Sequence, residues 1–396
     1  MTYPAAASLS SNGPTASVVV SDLHANPIVR AAPLTRMLQR LGFRCTVLGI
    51  LRSDQSVYPP YADAFDYVIC RDERSLANAI GGDLIYCCKP LPRTIRPSVI
   101  ASRRDATPMI LDVEDDNLEV CQRTRIRRML SAVRKVCRRP RCYAAIPAHR
   151  MRRHAVATTV ASRMLQDFYG GTILYHGPDE SIFDPQLREH DPQTCRRQLG
   201  LPQRVPLALF AGYPRTHKGL DLLVHAIEFS PFHLVLAGPE RCDEFDQAQK
   251  RLAHRCHRLG MIDNNIMPKL LAAVDVVPVP QRDTHFANAQ MPAKLIEAMS
   301  MAKSVVVSNC GDLPEIVGHG TSRPRGWVFR CDDVNDLKRC LLTAIDDHTD
   351  AVIRRQRART FFVSDCGLQA GADRLRAIIG SIGYAHLLPP SVKRVA

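Results

Sequence analysis

Residues 290–309 read QMPAKLIEAMSMAKSVVVSN, and the pattern of this stretch changes halfway along. From Ala293 onward, apolar residues recur three and four positions apart, which indicates a helix with one buried face. From Ser304 onward, three consecutive valines follow, which is typical of a strand buried on both faces. A helix that leads directly into a buried strand is one step of an alternating α/β fold. We expect the buried face of the helix to consist of Leu295, Ala298, Met299 and Ala302.

The same alternation runs through the rest of the chain. Strand patterns occur in PLALFAG (206–212), FHLVLAG (232–238) and DVVPVP (275–280), with helical patterns between them. An earlier series starts at SVVVSDL (17–23) and continues through CTVLGIL, FDYVIC, DLIYCC and PMILDV. Because 396 residues exceed the size at which a single core stops growing, the two series predict two doubly wound, parallel-sheet domains.

A polar, proline-bearing stretch at 178–194 separates the two series. The first fifteen residues carry no positive region followed by an apolar one, so we expect a tail there rather than a signal peptide. The predicted division is a flexible tail at 1–15, an amino-terminal domain at 16–178, a linker at 179–204, a carboxyl-terminal domain at 205–365, and a final helix and tail at 366–396.

Composition limits the class of protein. The charged fraction is 23%, and no run of about 18 apolar residues that could span a membrane is present. The 14 cysteines are scattered through apolar segments without a CxxC pair, which favours structural thiols in a reducing compartment. We therefore expect a cytoplasmic protein and no metal or redox site.

The formal charge of +14 is concentrated in one segment. Residues 121–153 contain twelve arginines and lysines and no acidic residue, while apolar residues from Ile126 to Cys137 recur at helical spacing. A helix of this kind can lie on an anionic membrane surface, so the protein is expected to be peripheral on the inner face of the membrane. The alternative is a helix packed on its own domain with a solvated basic face. Nucleic acid is disfavoured as a partner because interleaved aromatic residues are missing.

A basic loop lies at the end of a predicted strand in FAGYPRTHKGLDLLVHAI (210–227). The strand ends at Gly212, the loop carries Arg215 and Lys218, and a helix follows Gly219. Two cations beside a helix N-terminus form an anion site, and phosphate is the natural ligand. The alternative is a solvated loop with ordinary surface charges.

Two charges sit at the start of the helix in the opening stretch. Lys294 and Glu297 are three residues apart and share one side of that helix. They could form a helical ion pair worth a few tenths of a kcal/mol. Alternatively, Glu297 accepts hydrogen bonds from paired hydroxyls of a ligand while Lys294 faces an anion.

Four carboxylates end an apolar strand in LDVEDDN (111–117). Crowded carboxylates raise one another's pKa, which would suit proton exchange with a hydroxyl group. Some of them could instead cap a helix or pair with nearby arginines. We favour that structural role for Asp112 and Asp116, and a functional role for Glu114 and Asp115.

The segments FAG…KGLD, HLVLAGPE, DVVPVPQ and KLIEAMSMAKSVVVSNCGDLPEIV resemble the donor domain of nucleotide-sugar glycosyltransferases of family 4, which have the GT-B fold. DLIYCCKPLP and PMILDVEDDN resemble the other domain more loosely. The resemblance implies two Rossmann-like domains with a cleft between them and a final helix that crosses back to the first. It also implies retaining transfer of a sugar from a nucleotide-diphospho-sugar, which is a co-substrate rather than a cofactor. The acceptor would be a hydroxyl of a lipid-linked, polysaccharide or secondary-metabolite glycan.

When the roles of the family's residues are carried over by position, the resemblance implies that Arg215 and Lys218 bind the donor diphosphate. It implies that Glu297 binds the ribose hydroxyls. Further donor contacts are expected at Gly212, Gln290, Lys294, Gly311 and Glu315. The sequence departs from the family at Ala289, where the first of two glutamates is expected, and at Tyr213, where an arginine is usual.

These departures keep other functions open. A relative that binds a nucleotide sugar without turnover would also fit Ala289. A nucleotide-sugar epimerase is disfavoured because no paired acid and base is evident. The nucleotide base, the sugar, the acceptor and the oligomeric state are left open by the sequence.

Overall fold

The computed structural model describes residues 13–24, 27–115, 150–346 and 348–389. The chain divides into two compact units, one formed by Met1–His176 with Leu368–Ala396 and the other by Gly177–Gly367. The tail before residue 13 and the cationic segment at 121–149 lie outside the described residues, so the amphipathic helix expected there stays a prediction.

The first unit contains a seven-stranded parallel sheet with the order β3-β2-β1-β4-β5-β6-β7. Its strands are β1 Thr15–Val20, β2 Arg44–Ile50, β3 Asp66–Cys70, β4 Leu84–Cys88, β5 Met109–Val113, β6 Ala157–Val160 and β7 Thr172–Ile173. The helices described in this unit are Pro27–Arg40, Glu73–Ala79, Pro92–Asp105, Arg163–Tyr169 and Leu368–Ser381.

The second unit contains a six-stranded parallel sheet with the order β10-β9-β8-β11-β12-β13. Its strands are β8 Leu207–Ala211, β9 His233–Ala237, β10 Cys256–Arg258, β11 Val276–Val279, β12 Ser304–Ser308 and β13 Trp327–Phe329. Its helices are Pro192–Gln198, Leu220–Glu228, Asp243–Leu252, Met267–Ala273, His285–Asn288, Ala293–Ser300, Leu313–Ile316, Val334–Asp346 and His348–Phe361.

Two parallel sheets flanked by helices confirm the predicted fold class. The predicted apolar runs all form strands, and most of these strands are buried because they are apolar on both faces. The edge strand β3 differs, since Val68 and Ile69 are exposed. Four strands were not predicted: β6, β7, β10 and β13. They are two to four residues long, and β10 contains His257 and Arg258, so their local patterns carry little strand signal.

The opening stretch forms the helix Ala293–Ser300 and strand β12, as predicted. Leu295, Ala298 and Met299 are fully buried. The expectation for Ala302 is wrong, because the helix ends at Ser300 and Ala302 adopts a left-handed conformation with φ 50° in the turn that follows. Ile296 completes the buried face instead.

The stretch predicted as a linker at 179–204 lies inside the second unit and is packed there. It contains the helix Pro192–Gln198, whose first turn is capped by the side chain of Asp191. Buried Arg196 donates to the carbonyl of Ala273 at 2.7 Å and pairs with Asp275 at 2.7 Å.

The helix Leu368–Ser381 belongs to the first unit and packs against Pro27–Arg40. Gly371 permits this approach, since a Cβ at that position would lie 2.2 Å from the Cε of Met37. Among the described residues, no helix combines the length and the apolar character needed to cross a bilayer.

Candidate functional site

The second sheet reverses its strand order between β8 and β11. At such a switch point the connections leave in opposite directions, and ligands of doubly wound sheets bind at the carboxyl ends of the strands there. The loop after β8 is residues 212–219, and the loop after β11 begins at Pro280. The predicted basic loop therefore lies at the expected ligand position of this sheet.

These two loops touch. Gly219 has a left-handed φ of 63°, and a Cβ there would lie 1.9 Å from the carbonyl oxygen of Pro280. The amide of Arg282 donates to the carbonyl of His217 at 2.9 Å. The guanidinium of Arg282 also pairs with Asp221 and Asp332. The loop that carries the cations is thus held by the neighbouring loop.

Arg215 and Lys218 occupy the loop after β8. Arg215 is exposed and Lys218 is half-buried. Burial lowers the pKa of Lys218, and the nearby charge of Arg215 lowers it further. A Cβ at Gly212 would lie 3.5 Å from the Nζ of Lys218, which places Gly212 next to this ammonium. Two cations held together against their mutual repulsion form a site suited to a dianion.

Lys294 projects from the first turn of the helix Ala293–Ser300 toward β8. Its Nζ lies 4.3 Å from the ring centre of Phe210, is buried, and has no hydrogen-bond partner among the described residues. Burial lowers the pKa of Lys294 to about 7, Lys218 adds to this effect, and Glu297 opposes it. Lys218 and Glu297 therefore both lie close enough to Lys294 for their charges to act on it.

Glu297 is the acidic member of this group. Burial raises the pKa of its carboxyl to about 7, and the charge of Lys294 opposes the rise. Because the Nζ of Lys294 makes no hydrogen bond, Lys294 and Glu297 are not a hydrogen-bonded surface pair. A half-buried acid and an amine with a buried nitrogen, both with a pKa shifted toward neutrality, are more typical of functional sites than of helix stabilisation.

The other predicted donor residues follow neighbouring strands. Gly311 comes after β12 with φ 53°, and a Cβ there would lie 2.9 Å from the carbonyl of Asn288. Ala289, beside Asn288, is fully buried. Gln290 is partly buried, and Glu315 is exposed in the first turn of Leu313–Ile316. Their roles stay predictions.

In the first unit, Asp112 has the structural role that the sequence favoured. It is fully buried and takes two hydrogen bonds from Arg30, at 2.7 and 3.0 Å. Thr159 donates to it at 2.7 Å, and Arg30 also lies 2.9 Å from Nδ1 of His176. Burial lowers the pKa of His176 to about 3, so this imidazole is neutral.

Glu114 and Asp115 share one cation, Lys89, that the sequence pattern did not predict. The Nζ of Lys89 donates to Asp115 at 2.9 Å and lies 3.3 Å from Glu114 Oε2, an oxygen that accepts no hydrogen bond in the described chain. Burial raises the pKa of Glu114 to about 7, while Lys89 opposes the rise and Asp115 adds to it. Burial, rather than crowding of carboxylates, is the main cause.

Lys89 follows β4 with a left-handed φ of 72°, which is strained for a residue with a side chain. The available signal was a lone cation that ends a buried strand in CCKP. Asp116 lies outside the described residues. Among the residues that the structure describes, no cluster of His, Cys, Asp and Glu could hold a metal ion.

Residues 205–347 match the family model described as glycosyl transferases group 1. The chain is 28% identical over 164 residues to an uncharacterized glycosyltransferase of Methanocaldococcus jannaschii, covering 40% of each protein. It is 24% identical over 181 residues to a D-inositol 3-phosphate glycosyltransferase of Jonesia denitrificans, covering 39% of this chain and 41% of that one. The match thus spans about two fifths of the length of these relatives.

Among solved structures, the chain is similar to Anabaena HepE in complex with UDP-glucose. The TM-score is 0.70 at 17% identity, with 93% of this chain and 100% of that chain covered. At this identity the likeness shows the fold, which is the GT-B fold that the resemblance predicted.

Proposed function

We propose that this chain is a glycosyltransferase that moves a sugar from a nucleotide-diphospho-sugar to a hydroxyl of an acceptor. The observation that carries the proposal is the group formed by Lys218, Lys294 and Glu297 beside Arg215 at the switch point of the second sheet. The match of residues 205–347 to a glycosyltransferase model supports it. The neighbour solved with UDP-glucose supports a sugar nucleotide as the donor.

In this proposal the donor lies on the second unit. Arg215 and Lys218 hold the diphosphate, with Gly212 leaving room for it. Their charges stabilise the nucleoside diphosphate as it leaves, which is where negative charge develops. Glu297 accepts hydrogen bonds from the ribose hydroxyls, and Lys294, Gln290, Gly311 and Glu315 are further donor contacts. The sugar nucleotide is the co-substrate, and no cofactor is invoked.

We assign the chain to family 4 of the glycosyltransferases and infer transfer of a hexose with retention of configuration at the anomeric carbon. Glu114 and Asp115, in the first unit, exchange a proton with the acceptor hydroxyl. The pKa of Glu114 near 7 suits this role, since a general base works best when its pKa is close to the working pH.

A titration of sugar nucleotides tests the proposal. Trp327, the one tryptophan of the chain, lies in β13 of the second unit and reports on that unit. We expect saturable binding of UDP-glucose, ADP-glucose or GDP-mannose by fluorescence and calorimetry, followed by release of the nucleoside diphosphate. Failure of all three donors to bind would contradict the proposal.

A second candidate is a binding protein of the same fold that has lost turnover. Ala289 favours it, because a buried methyl group stands where the family carries a glutamate. The same titration separates the two functions. Tight binding without hydrolysis or transfer, for every acceptor tried, would favour the binding protein.

We further propose a cytoplasmic, peripheral enzyme whose segment 121–153 contacts an anionic membrane surface, where lipid-linked or polysaccharide acceptors are found. The twelve cations of that segment support this. We expect the protein to float with vesicles of phosphatidylcholine and phosphatidylglycerol at low salt. Equal recovery in the unbound fraction with pure phosphatidylcholine and with the anionic mixture would refute membrane contact.

A further inference from the structure

Gln281 lies in the loop after β11 and has a buried amide group. The residue is 2% exposed, and its Oε1 accepts no hydrogen bond among the described residues. A carbonyl oxygen that is removed from water without a hydrogen-bond donor is unfavourable, and native proteins contain few of them. The burial of this oxygen is explained if a donor from outside the described chain binds to it.

The sequence neighbours of Gln281 fix it beside the basic loop that follows β8. On one side, the carbonyl oxygen of Pro280 lies 1.9 Å from the position that a Cβ of Gly219 would take. On the other side, the amide of Arg282 donates to the carbonyl of His217 at 2.9 Å. Gln281 is therefore held between two contacts with that loop, at the carboxyl end of β11, where ligands of a doubly wound sheet bind.

A second polar atom at this switch point is also buried without a partner. The Nζ of Lys294 makes no hydrogen bond among the described residues and lies 4.3 Å from the ring centre of Phe210, in β8. Because Val276 of β11 pairs with Ala208 of β8, the ends of these two strands lie side by side. Both atoms lack a partner, so Lys294 does not donate to Gln281. One donor and one acceptor are thus left for a ligand that can both accept and donate.

The type of atom limits which part of a sugar nucleotide can bind Gln281. The diphosphate offers only hydrogen-bond acceptors, so it can take hydrogen bonds from Arg215 and Lys218 but cannot donate to a carbonyl oxygen. Hydroxyl groups can donate, and a sugar nucleotide carries them on both sides of the diphosphate, on the ribose and on the transferred sugar. A hydroxyl group therefore fits the oxygen of Gln281, and the phosphates do not.

We propose that the Oε1 of Gln281 accepts a hydrogen bond from a hydroxyl group of the sugar nucleotide, either on the ribose or on the transferred sugar. The inference rests on the proposed function and adds a contact to it. Since the oxygen is buried in this structure, a neighbouring side chain moves before the hydroxyl reaches it. Gln281 then contributes to specificity, because a ligand without this hydroxyl leaves the oxygen unpaired.

The structural alternative is a buried water molecule that donates to Gln281. In that case the amide stabilises the fold, and replacing it with an apolar group lowers the stability. If the partner is a ligand, the free protein carries an unpaired polar group, and the same replacement does not lower the stability. The two explanations therefore predict different effects of one substitution.

Gln281→Met tests the inference, because methionine is similar in size to glutamine but has no amide. We expect the denaturation temperature, followed through Trp327, to stay the same or to rise. The donor is whichever of UDP-glucose, ADP-glucose and GDP-mannose binds the wild type most tightly. We expect the affinity for this donor, measured by calorimetry, to fall about tenfold. Gln247→Met, at an exposed glutamine of the same unit, is the matched control and should keep the wild-type values.

The corresponding nucleoside diphosphate shows which hydroxyl binds Gln281. If the hydroxyl belongs to the transferred sugar, Gln281→Met should bind the nucleoside diphosphate as tightly as the wild type does. If it belongs to the ribose, this affinity should also fall about tenfold. In that case, either the 2′-deoxy or the 3′-deoxy nucleoside diphosphate should bind to both proteins with equal affinity.

The outcomes separate this inference from the proposed function. If Gln281→Met binds the donor as tightly as the wild type does, the inference is wrong while the donor assignment stands. A lower denaturation temperature of this variant, whatever its affinity, assigns the amide to the fold and also overturns the inference. If UDP-glucose, ADP-glucose and GDP-mannose all fail to bind to the wild type, the proposed function fails and the inference fails with it.

Discussion

We expect Lys218→Ala to slow sugar transfer, measured as release of the nucleoside diphosphate, by about 10²–10³-fold. In the proposed function the ammonium of Lys218 stabilises charge on the departing diphosphate, so its loss should act on the transition state more than on the bound donor. The expected signature is a fall in kcat with a smaller change in the donor KM. Unchanged turnover of this variant with a confirmed donor would refute the assignment.

The same variant should fold normally. The pKa of Lys218 is lowered by burial and by Arg215, which means that its charge is held in an unfavourable environment without ligand. Removing it should leave the denaturation midpoint followed through Trp327 unchanged or raise it. Lys250→Ala is the matched control, since this lysine is exposed and lies outside the site. A Lys218→Ala protein that loses both activity and its folded fluorescence would not test the role of the charge.

Local pattern was enough to predict the fold class. Runs such as Val305–Val307 are buried on both faces, and such runs form strands wherever a parallel sheet can cover them. The pattern did not predict β10, whose histidine and arginine form a strand because β9 offers an edge to pair with. The pattern also did not predict the left-handed turn at Ala302, because apolar spacing does not show where a helix ends before β12.

The candidate site was predictable to the extent that its residues are close in sequence. Lys294 and Glu297 share one helix, and Arg215 and Lys218 share one loop, so their motifs were visible. Lys89 and Asp115 are 26 positions apart, and their contact depends on the pairing of β4 with β5. Arg30 and His176, 146 positions apart, meet only because of the order of strands in the sheet. Strand order is a tertiary property that no local pattern contains.

The interaction of Arg30 with Asp112 leads to the second large effect. We expect Arg30→Met to lower the free energy of unfolding of the first unit by about 3–5 kcal/mol, because it leaves a carboxylate buried without its cation. Both side chains are almost completely buried, and Asp112 would retain the hydrogen bond from Thr159 but lose the two from Arg30. Exchange of the backbone amides of β4, β5 and β6, measured by mass spectrometry, resolves this unit from the other.

Two comparisons make this prediction specific. Arg52→Met removes the same kind of pair at the surface, where Arg52 and Asp54 are 75% and 61% exposed, and should change amide exchange little. The double variant Arg30→Met with Asp112→Leu removes both charges, and should recover much of the lost stability because no buried charge is left unpaired. If the amides of β4, β5 and β6 exchange as slowly in Arg30→Met as in Arg52→Met, the buried pair does not stabilise the first sheet. If the double variant is less stable than Arg30→Met, hydrogen bonding by Asp112, rather than charge balance, is what holds β5 in place.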